Sequence, residues 1–299
     1  MNGVILMYHR VASAPEDAYR LSVSPSHFAD HVDYLSSLGC VVPLGEMVKP
    51  GTALRVAITF DDGYVDNATA AAPLLASAGL PATYFITSGR LGAQHFWWDQ
   101  LAVAVLSPSP ECLGVDVSVG GRQLWLGLQS LEDRRNSLLF LHERLSRLPP
   151  DELASSVQSV ARTLEAPAPP DRARTMTVEQ LLEMSRLTGV DIGAHSRTHA
   201  RLGSQSARVQ ENEVLGSVRD VSDILGHEVT AFAYPFGSLL EVGDLAPRLA
   251  RQAGCSVACS TVPGPVDRRS APHLLPRLNV QDWDAHELAD HVAAVAAMA

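Results

Sequence analysis

Two adjacent carboxylates and a spaced pair of histidines are the residues of this sequence best suited to chemistry. Asp61 and Asp62 follow the apolar run at residues 57–60, and a glycine comes next. His195 and His199 are four apart, so both imidazoles would face one side of a helical turn. Two imidazoles and one carboxylate can hold a divalent metal ion, while a second carboxylate accepts a proton from metal-bound water. The alternatives are an Asp-Asp-Gly turn favoured by its backbone and two unrelated surface histidines.

Apolar runs separated by amphipathic helices predict an α/β domain. Strands are predicted at residues 4–8, 40–42, 56–60, 82–86, 190–194, 231–234, 257–260 and 274–280. His9, Asp61 and His195 each follow one of these runs directly. In parallel α/β folds the active site lies at the carboxyl ends of the strands, so we expect these side chains to meet there. The pattern leaves two architectures open, a barrel and an open doubly wound sheet.

A stretch at about residues 90–172 interrupts the alternation of strands and helices. It contains a hairpin signal at Gly120-Gly121, two amphipathic helices at 131–148 and 152–164, and the stiff linker APAPPD. We interpret this stretch as a mostly helical insertion in a single domain that spans residues 1–299.

The net charge and the hydropathy of the sequence argue against a nucleic-acid partner and against a transmembrane helix. The formal net charge of −10 argues against a nucleic-acid partner, which requires a basic face. No run of about 18 apolar residues predicts a transmembrane helix. The first residues lack a basic leader and a cleavage site, so we expect a cytoplasmic location if the chain is complete. No feature of the sequence predicts an oligomeric state.

Four short motifs together resemble those of the polysaccharide deacetylase family, also described as the NodB homology domain or carbohydrate esterase family 4. They are TFDDG (59–63), HSRTH (195–199), YPFG (234–237) and LPRLNV (275–280). The opening segment ILMYHRV is similar to one found in a subgroup of the family, which carries YHRV near its N-terminus. The resemblance implies a distorted (β/α)7-type barrel and the metal-dependent removal of an acetyl group from a sugar.

The resemblance also implies roles for individual residues. Asp61 matches the general base, and Asp62, His195 and His199 match the ligands of one divalent metal ion. That ion is usually zinc, with cobalt, nickel, manganese and iron as alternatives. A backbone N–H near Phe236 would stabilise the oxyanion. The predicted substrate-binding residues are Tyr234, Pro235, Phe236, Gly237 and Trp98, of which the tryptophan could instead anchor the insertion.

Two positions depart from the family pattern. Ala233 stands where an arginine usually holds the catalytic base, and we predict that Arg277 replaces it, with a structural ion pair as the alternative. The usual acid is a histidine that ends an apolar strand near the C-terminus, and here the N-terminal VILMYH has that form. We therefore predict that His9 protonates the leaving amine, as in a circularly permuted member, because histidine titrates near neutral pH. The alternative is a structural histidine.

The function predicted from these features is carbohydrate N-deacetylation by hydrolysis. Without a visible signal peptide, a nucleotide sugar, a lipid-linked sugar or a glycoside intermediate fits better as the acetylated substrate than a mature wall polymer. A non-catalytic carbohydrate-binding protein of the same fold is one alternative, which Ala233 favours slightly. A non-haem iron oxygenase is another, because two histidines and one carboxylate also form its ligand set.

Overall fold

A computed structural model describes residues 2–13, 17–92, 94–107 and 112–299. The chain divides into two compact units. The first comprises Met1–Ala93 and Thr175–Ala299, and the second comprises Gln94–Arg174. The organisation as one domain with an insertion at about 90–172 stays a prediction.

The elements alternate between strand and helix through most of the chain. The strands are β1 (Asn2–Tyr8), β2 (Arg10–Val11), β3 (Ser22–Val23), β4 (Leu54–Phe60), β5 (Ala82–Ile86), β6 (Gly114–Val119), β7 (Arg122–Gly127), β8 (Val190–Ala194), β9 (Ala231–Ala233), β10 (Val257–Cys259) and β11 (Leu278–Asn279). The helices are α1 (Pro25–Leu38), α2 (Ala72–Ser77), α3 (Trp97–Leu106), α4 (Leu131–Leu145), α5 (Pro150–Thr163), α6 (Val178–Met184), α7 (Ala207–Leu225), α8 (Leu239–Val242), α9 (Ala246–Gln252) and α10 (Ala285–Ala296).

The first unit is built on a curled parallel sheet of seven strands in the order β10-β9-β8-β5-β4-β1-β11. Tyr8 lies opposite Phe60, and Ile86 lies opposite Ala194, so the carboxyl ends of the central strands are level with one another. The predicted α/β fold of the (β/α)7 type is confirmed. The level ends explain how residues distant in sequence reach one site.

One chain segment connects the two edges of this sheet. The N–H of Leu275 donates to Ala258 of β10, and Leu278 pairs with Leu6 of β1. The strand predicted over residues 274–280 is therefore shorter than expected, because its two halves bond to different partners. Arg277 lies between these halves and is fully buried.

Alternate residues of the strands enter two separate apolar clusters, as the pleat of a strand requires. Leu6 and Tyr8 pack in the larger cluster, which also includes buried residues from helices of the first unit. Ile5 packs in a smaller cluster with Ala57 and Phe85 from the neighbouring strands. Strands that are buried on both faces account for the nearly continuous apolar runs in the sequence.

The helix after β4 begins with a turn that is wider than a regular α-helical turn. Asn67–Ala71 forms a π-helical turn, and regular α-helix starts only at Ala72. Pro73 has no N–H to donate to the preceding turn, which is a physical reason for the wider turn. The turn buries Asn67, whose side-chain amide donates to the carbonyl oxygen of His9 at 2.8 Å.

The second unit contains the antiparallel hairpin β6–β7 and helices α3 to α5. Gly120 and Gly121 form the predicted turn with φ angles of 54° and 75°, which side chains rarely adopt. Trp97 and Trp98 are both buried in α3. None of the helices formed by the described residues combines the length and the apolar character of a membrane span.

An aromatic stack supports the strands that end in the polar cluster. The Phe60 ring lies 5.1 Å from Tyr8 and 4.9 Å from Tyr84, centre to centre. We predict that Phe60→Ala lowers the free energy of unfolding by about 3–5 kcal/mol, because it leaves a cavity among three strands. Leu74→Ala, a change at a partly exposed position of α2, should cost less than about 1 kcal/mol. Urea denaturation measures both, and equal losses would contradict this account of the core.

Candidate active site

The two adjacent carboxylates are both buried at the end of β4, with about 2% of each residue exposed. Asp62 adopts a φ of 77° and Gly63 one of 88°, so the chain turns sharply at this point. A left-handed conformation is uncommon for residues other than glycine, and such residues cluster at functional sites. The turn sends the two side chains to different partners.

Asp61 faces Arg277. Two guanidinium nitrogens donate to the two carboxylate oxygens, each at 2.7 Å, and the pair is fully enclosed. Arg277 also donates from Nε to the carbonyl oxygen of Ser260 at 2.8 Å. Burial by itself raises the pKa of Asp61, but the charges of Arg277 and His195 and the hydrogen bonds from Arg277 lower it below its ordinary value. Asp61 is therefore held ionised and in one orientation.

Asp62 faces the two histidines. Its Oδ1 atom lies 3.5 Å from Nε2 of His195 and 3.3 Å from Nε2 of His199. The three ligand atoms lie within 4.8 Å of one another. This buried Oδ1 accepts no hydrogen bond from the residues that the structure describes. One carboxylate and two imidazoles of this kind suit a divalent cation such as zinc.

Hydrogen bonds and nearby charges determine which ring nitrogens of the two histidines could bind a cation. Nδ1 of His195 lies 2.8 Å from the carbonyl oxygen of Ala233, so it carries the proton and leaves Nε2 as the acceptor. Burial by itself lowers the pKa of His195, whereas Asp61 and Asp62 raise it above its ordinary value. For His199, burial prevails and the pKa is lowered. The carboxylates of Asp61 and Asp62 favour a proton on His195. A cation bound among Asp62, His195 and His199 would take the place of that proton.

The histidines are not brought together by a helical turn, so that prediction is wrong. Residues 195–199 form a loop in which Ser196 and His199 have φ angles of 59° and 60°. The buried carboxylate of Glu213 holds this loop. It accepts hydrogen bonds from the backbone N–H groups of Arg197 and Thr198 at 2.9 and 2.8 Å, and from the Thr198 hydroxyl at 2.8 Å.

Glu213 supports the site and is a residue that our predictions from the sequence did not include. A detectable signal was present, since this acid lies on the apolar face of α7 beside Val214 and Ser217, all of which are buried. A buried carboxylate requires partners, and here the partners are the N–H groups between the two metal-ligand candidates.

The segment after β9 lies against the histidines. Phe236 has a φ of 61°, and its ring packs edge-on against His199 with 5.0 Å between centres. The guanidinium of Arg201 lies 4.6 Å from the centre of the same ring and pairs with Glu241 at 3.2 Å. Arg201, also missed in the sequence, thus links this segment to the histidine loop. Pro235 and Gly237 flank Phe236 and are buried.

Two of the predicted substrate-binding side chains are packed inside the protein instead. Tyr234 is fully buried, and its hydroxyl donates to the carbonyl oxygen of His273 at 2.9 Å. Trp98 is buried in the second unit, where it stacks on Phe96 with 4.2 Å between ring centres. Both aromatic side chains are therefore occupied by protein contacts, because each lies on the core face of its element.

The structure places His9 beside Asp61. Tyr8 and Phe60 are paired in register, and the Asp61 N–H donates to the carbonyl oxygen of Tyr8 at 2.9 Å. His9 therefore ends the strand adjacent to Asp61. Burial by itself raises the pKa of both adjacent carboxylates, and larger effects of Arg277 and the other two histidines act together with a smaller one of His9 to lower it. Nδ1 of His9 is buried and has no hydrogen-bond partner among the described residues.

The ion pair of Asp61 and Arg277 leads to a double-mutant prediction. Arg277→Met should lower the free energy of unfolding by about 3–5 kcal/mol, because it leaves a buried carboxylate without its counter-charge. Adding Asp61→Asn should restore a large part of this loss, since the uncompensated charge is then removed. Urea denaturation of metal-free protein provides the four values. Strictly additive losses would show that the two side chains are not coupled.

The contacts of Glu213 lead to a prediction about metal affinity. Glu213→Gln should weaken zinc binding about 10- to 100-fold, because an amide cannot accept all three hydrogen bonds of the loop. Competition with a chelator of known affinity measures the change. Glu211→Gln, at an exposed position of the same helix, is the matched control. Equal affinities of the two variants would contradict a positioning role for Glu213.

The sequence of this chain is similar to those of known proteins. The sequence model of the family described as "Polysaccharide deacetylase" matches residues 49–112 and 172–258, about half of the chain. YxkH of Bacillus subtilis, a protein named for this family, is 22% identical over 284 residues, which cover 92% of this chain and 70% of YxkH.

Solved structures share the fold. The deacetylase PplD of Streptococcus pyogenes, in complex with acetate, superposes with a TM-score of 0.63 at 18% identity, covering 98% of both chains. IcaB of Ammonifex degensii gives 0.59 at 18% identity and covers 99% of this chain and 97% of its own. The matching family model, the shared fold and the cluster at the strand ends agree, and the chain belongs to the polysaccharide deacetylase family.

Proposed function

We propose that this protein is a metal-dependent hydrolase that removes an N-acetyl or related acyl group from a sugar or sugar conjugate. The observation that carries the proposal is that two adjacent carboxylates have different partners. Asp62 faces two histidines, and Asp61 lies outside that ligand group, held ionised by Arg277. A simple metal-binding protein would have no use for the second acid, whereas hydrolysis needs a base beside the metal.

Asp62, His195 and His199 would hold one divalent cation, for which zinc is our first choice and cobalt, nickel, manganese and iron are alternatives. When bound, this ion supplies a water of lowered pKa and positive charge for the oxyanion. Asp61 takes the proton of the attacking water. Its low pKa makes it ionised at neutral pH, and Arg277 restricts its rotation, so the base is present in the correct form before substrate arrives.

His9 and Phe236 complete the proposed machinery. His9 gives a proton to the nitrogen of the leaving amine as the bond between this nitrogen and the acyl carbon breaks. The backbone N–H of Phe236 donates to the oxygen of the carbonyl as negative charge develops there. Arg201 and His199 contact the ring of this phenylalanine and fix its unusual backbone conformation.

The test is acetate release from a panel of acetylated monosaccharides, nucleotide sugars, lipid-linked sugars and oligosaccharides, followed by mass spectrometry. We predict that Asp61→Asn keeps one metal ion per chain and loses about 10²- to 10⁴-fold in turnover, because only the base is removed. Asp62→Ala should lose the metal itself. Full activity of Asp61→Asn would show that the assigned base is wrong.

A further inference from the structure

The chain leaves the main sheet at His9, the proposed acid. Tyr8 is the last residue of β1, which lies between β4 and β11, whereas Arg10 begins β2, which pairs with β3 in a separate sheet of two strands. His9 therefore lies at a junction between two sheets. Among the residues that the structure describes, none forms a hydrogen bond with the buried Nδ1 of its ring. The position of the ring thus depends on how the backbone of this junction is held.

Two neighbouring side chains hold the backbone of the junction. The side-chain amide of Asn67 donates to the carbonyl oxygen of His9 at 2.8 Å. The carboxylate of Asp66 accepts a hydrogen bond from the backbone N–H of Val11 at 3.1 Å. The same carboxylate accepts two further hydrogen bonds, from Nε and Nη2 of Arg10, at 3.0 Å each. Three consecutive residues of the junction, 9 to 11, are therefore each bonded to one of these two side chains.

The contacts of the junction are shielded from solvent. Asn67 is fully buried, and only 8% of Asp66 and of Arg10 is exposed. The Arg10 guanidinium also lies 4.5 Å from the centre of the buried Tyr64 ring. A buried ion pair seldom adds net stability over apolar side chains of similar volume, so stability alone does not explain the pair of Arg10 and Asp66. Its directional hydrogen bonds do fix the path of the chain on the far side of His9.

The proposed base is attached to the same junction. The N–H of Asp61 donates to the carbonyl oxygen of Tyr8 at 2.9 Å, one residue before His9. Residues 61–67 thus contact the chain immediately before His9, at His9 and immediately after it. The distance between the proposed base and the proposed acid is therefore determined by one short stretch of chain.

We propose that Asn67 and Asp66 are positioning residues for His9. Asn67 acts on the carbonyl group of His9 itself, and Asp66 acts on the two residues that follow. A displacement of about 1 Å can lower a reaction rate about 10²-fold, so contacts with the backbone of an acid can strongly affect its efficiency. This inference rests on the proposed function, in which His9 gives a proton to the leaving nitrogen.

The test compares two acetyl compounds that differ in their need for an acid. One is the acetylated sugar of the panel above that is hydrolysed fastest, whose nitrogen must be protonated in order to leave. The other is 4-nitrophenyl acetate, from which 4-nitrophenolate leaves as a stable anion. In zinc-loaded protein, Asn67→Ala should lower kcat for the sugar about 10- to 100-fold, with little change in KM. Hydrolysis of the ester should change less than about threefold, because it needs no acid.

Activity toward the ester also shows that a variant is folded and contains its metal. If Asn67→Ala does not fold, Asp66→Asn is the second variant, because it keeps the shape of the side chain and removes the charge that Arg10 requires. It should show the same selective loss on the sugar.

A double variant tests whether Asn67 acts through His9. His9→Ala should itself lose activity on the sugar and keep activity on the ester. Adding Asn67→Ala to His9→Ala should lower kcat for the sugar no further, because the acid that Asn67 positions is already absent.

Gln210→Ala is the matched control. Its buried side-chain amide donates to the carbonyl oxygen of Gln205 at 2.9 Å, and its own amide oxygen, like that of Asn67, has no partner among the described residues. This variant should change kcat for the sugar and for the ester by the same factor, since the contact that it removes does not involve the junction.

Equal losses on sugar and ester in Asn67→Ala would overturn the positioning role while leaving the hydrolase intact. A further loss in the double variant would do the same. Absence of a selective loss in His9→Ala would contradict the assignment of the acid, and the positioning role with it. Absence of acetate from every sugar tested would contradict the proposed function itself, and with it any acid to be positioned.

Discussion

The buried ion pair of Asp61 and Arg277 is the interaction on which the site depends. Removing two charges from water costs several kcal/mol per ion, and only excellent geometry compensates for that cost. Here the compensation comes from two hydrogen bonds of 2.7 Å and a further one to the Ser260 carbonyl. The arginine reaches this position because its segment connects the edges of the curled sheet. The segment that contains Arg277 therefore both connects the edges of the sheet and orients the proposed base.

Unusual backbone conformations are concentrated around the same point. Asp62, Ser196, His199 and Phe236 all have φ angles near +60° to +77°, although none is a glycine. Such residues persist only where their surroundings enforce them. The hydrogen bonds that Glu213 accepts and the contacts of Arg201 with Phe236 provide that enforcement. The protein's own contacts thus fix the positions of the three metal-ligand candidates, as the proposed hydrolysis requires.

The sequence predicted those parts of the structure that depend on local pattern. Apolar runs located the parallel strands, and the position of polar residues after them predicted that Asp61, His9 and His195 would meet. The pairing of Arg277 with Asp61 was predictable because a missing arginine at Ala233 required a substitute. Loop geometry was not predictable, since the conformation of residues 195–199 depends on Glu213, which approaches from a different element. Tyr234 was assigned to the substrate as part of the YPFG motif, and Trp98 was assigned to it with anchoring of the insertion as the alternative. The sequence alone does not show that both side chains are buried.

The central claim is that Asp62, His195 and His199 hold a catalytic divalent metal while Asp61 remains outside the ligand set. Anomalous diffraction from crystals of the zinc-loaded protein tests it most directly. We expect one strong peak in contact with the Asp62 carboxylate and with Nε2 of both histidines, and an Asp61 side chain still paired with Arg277. A peak at another group of residues, no peak at saturating zinc, or Asp61 as a direct ligand would contradict it.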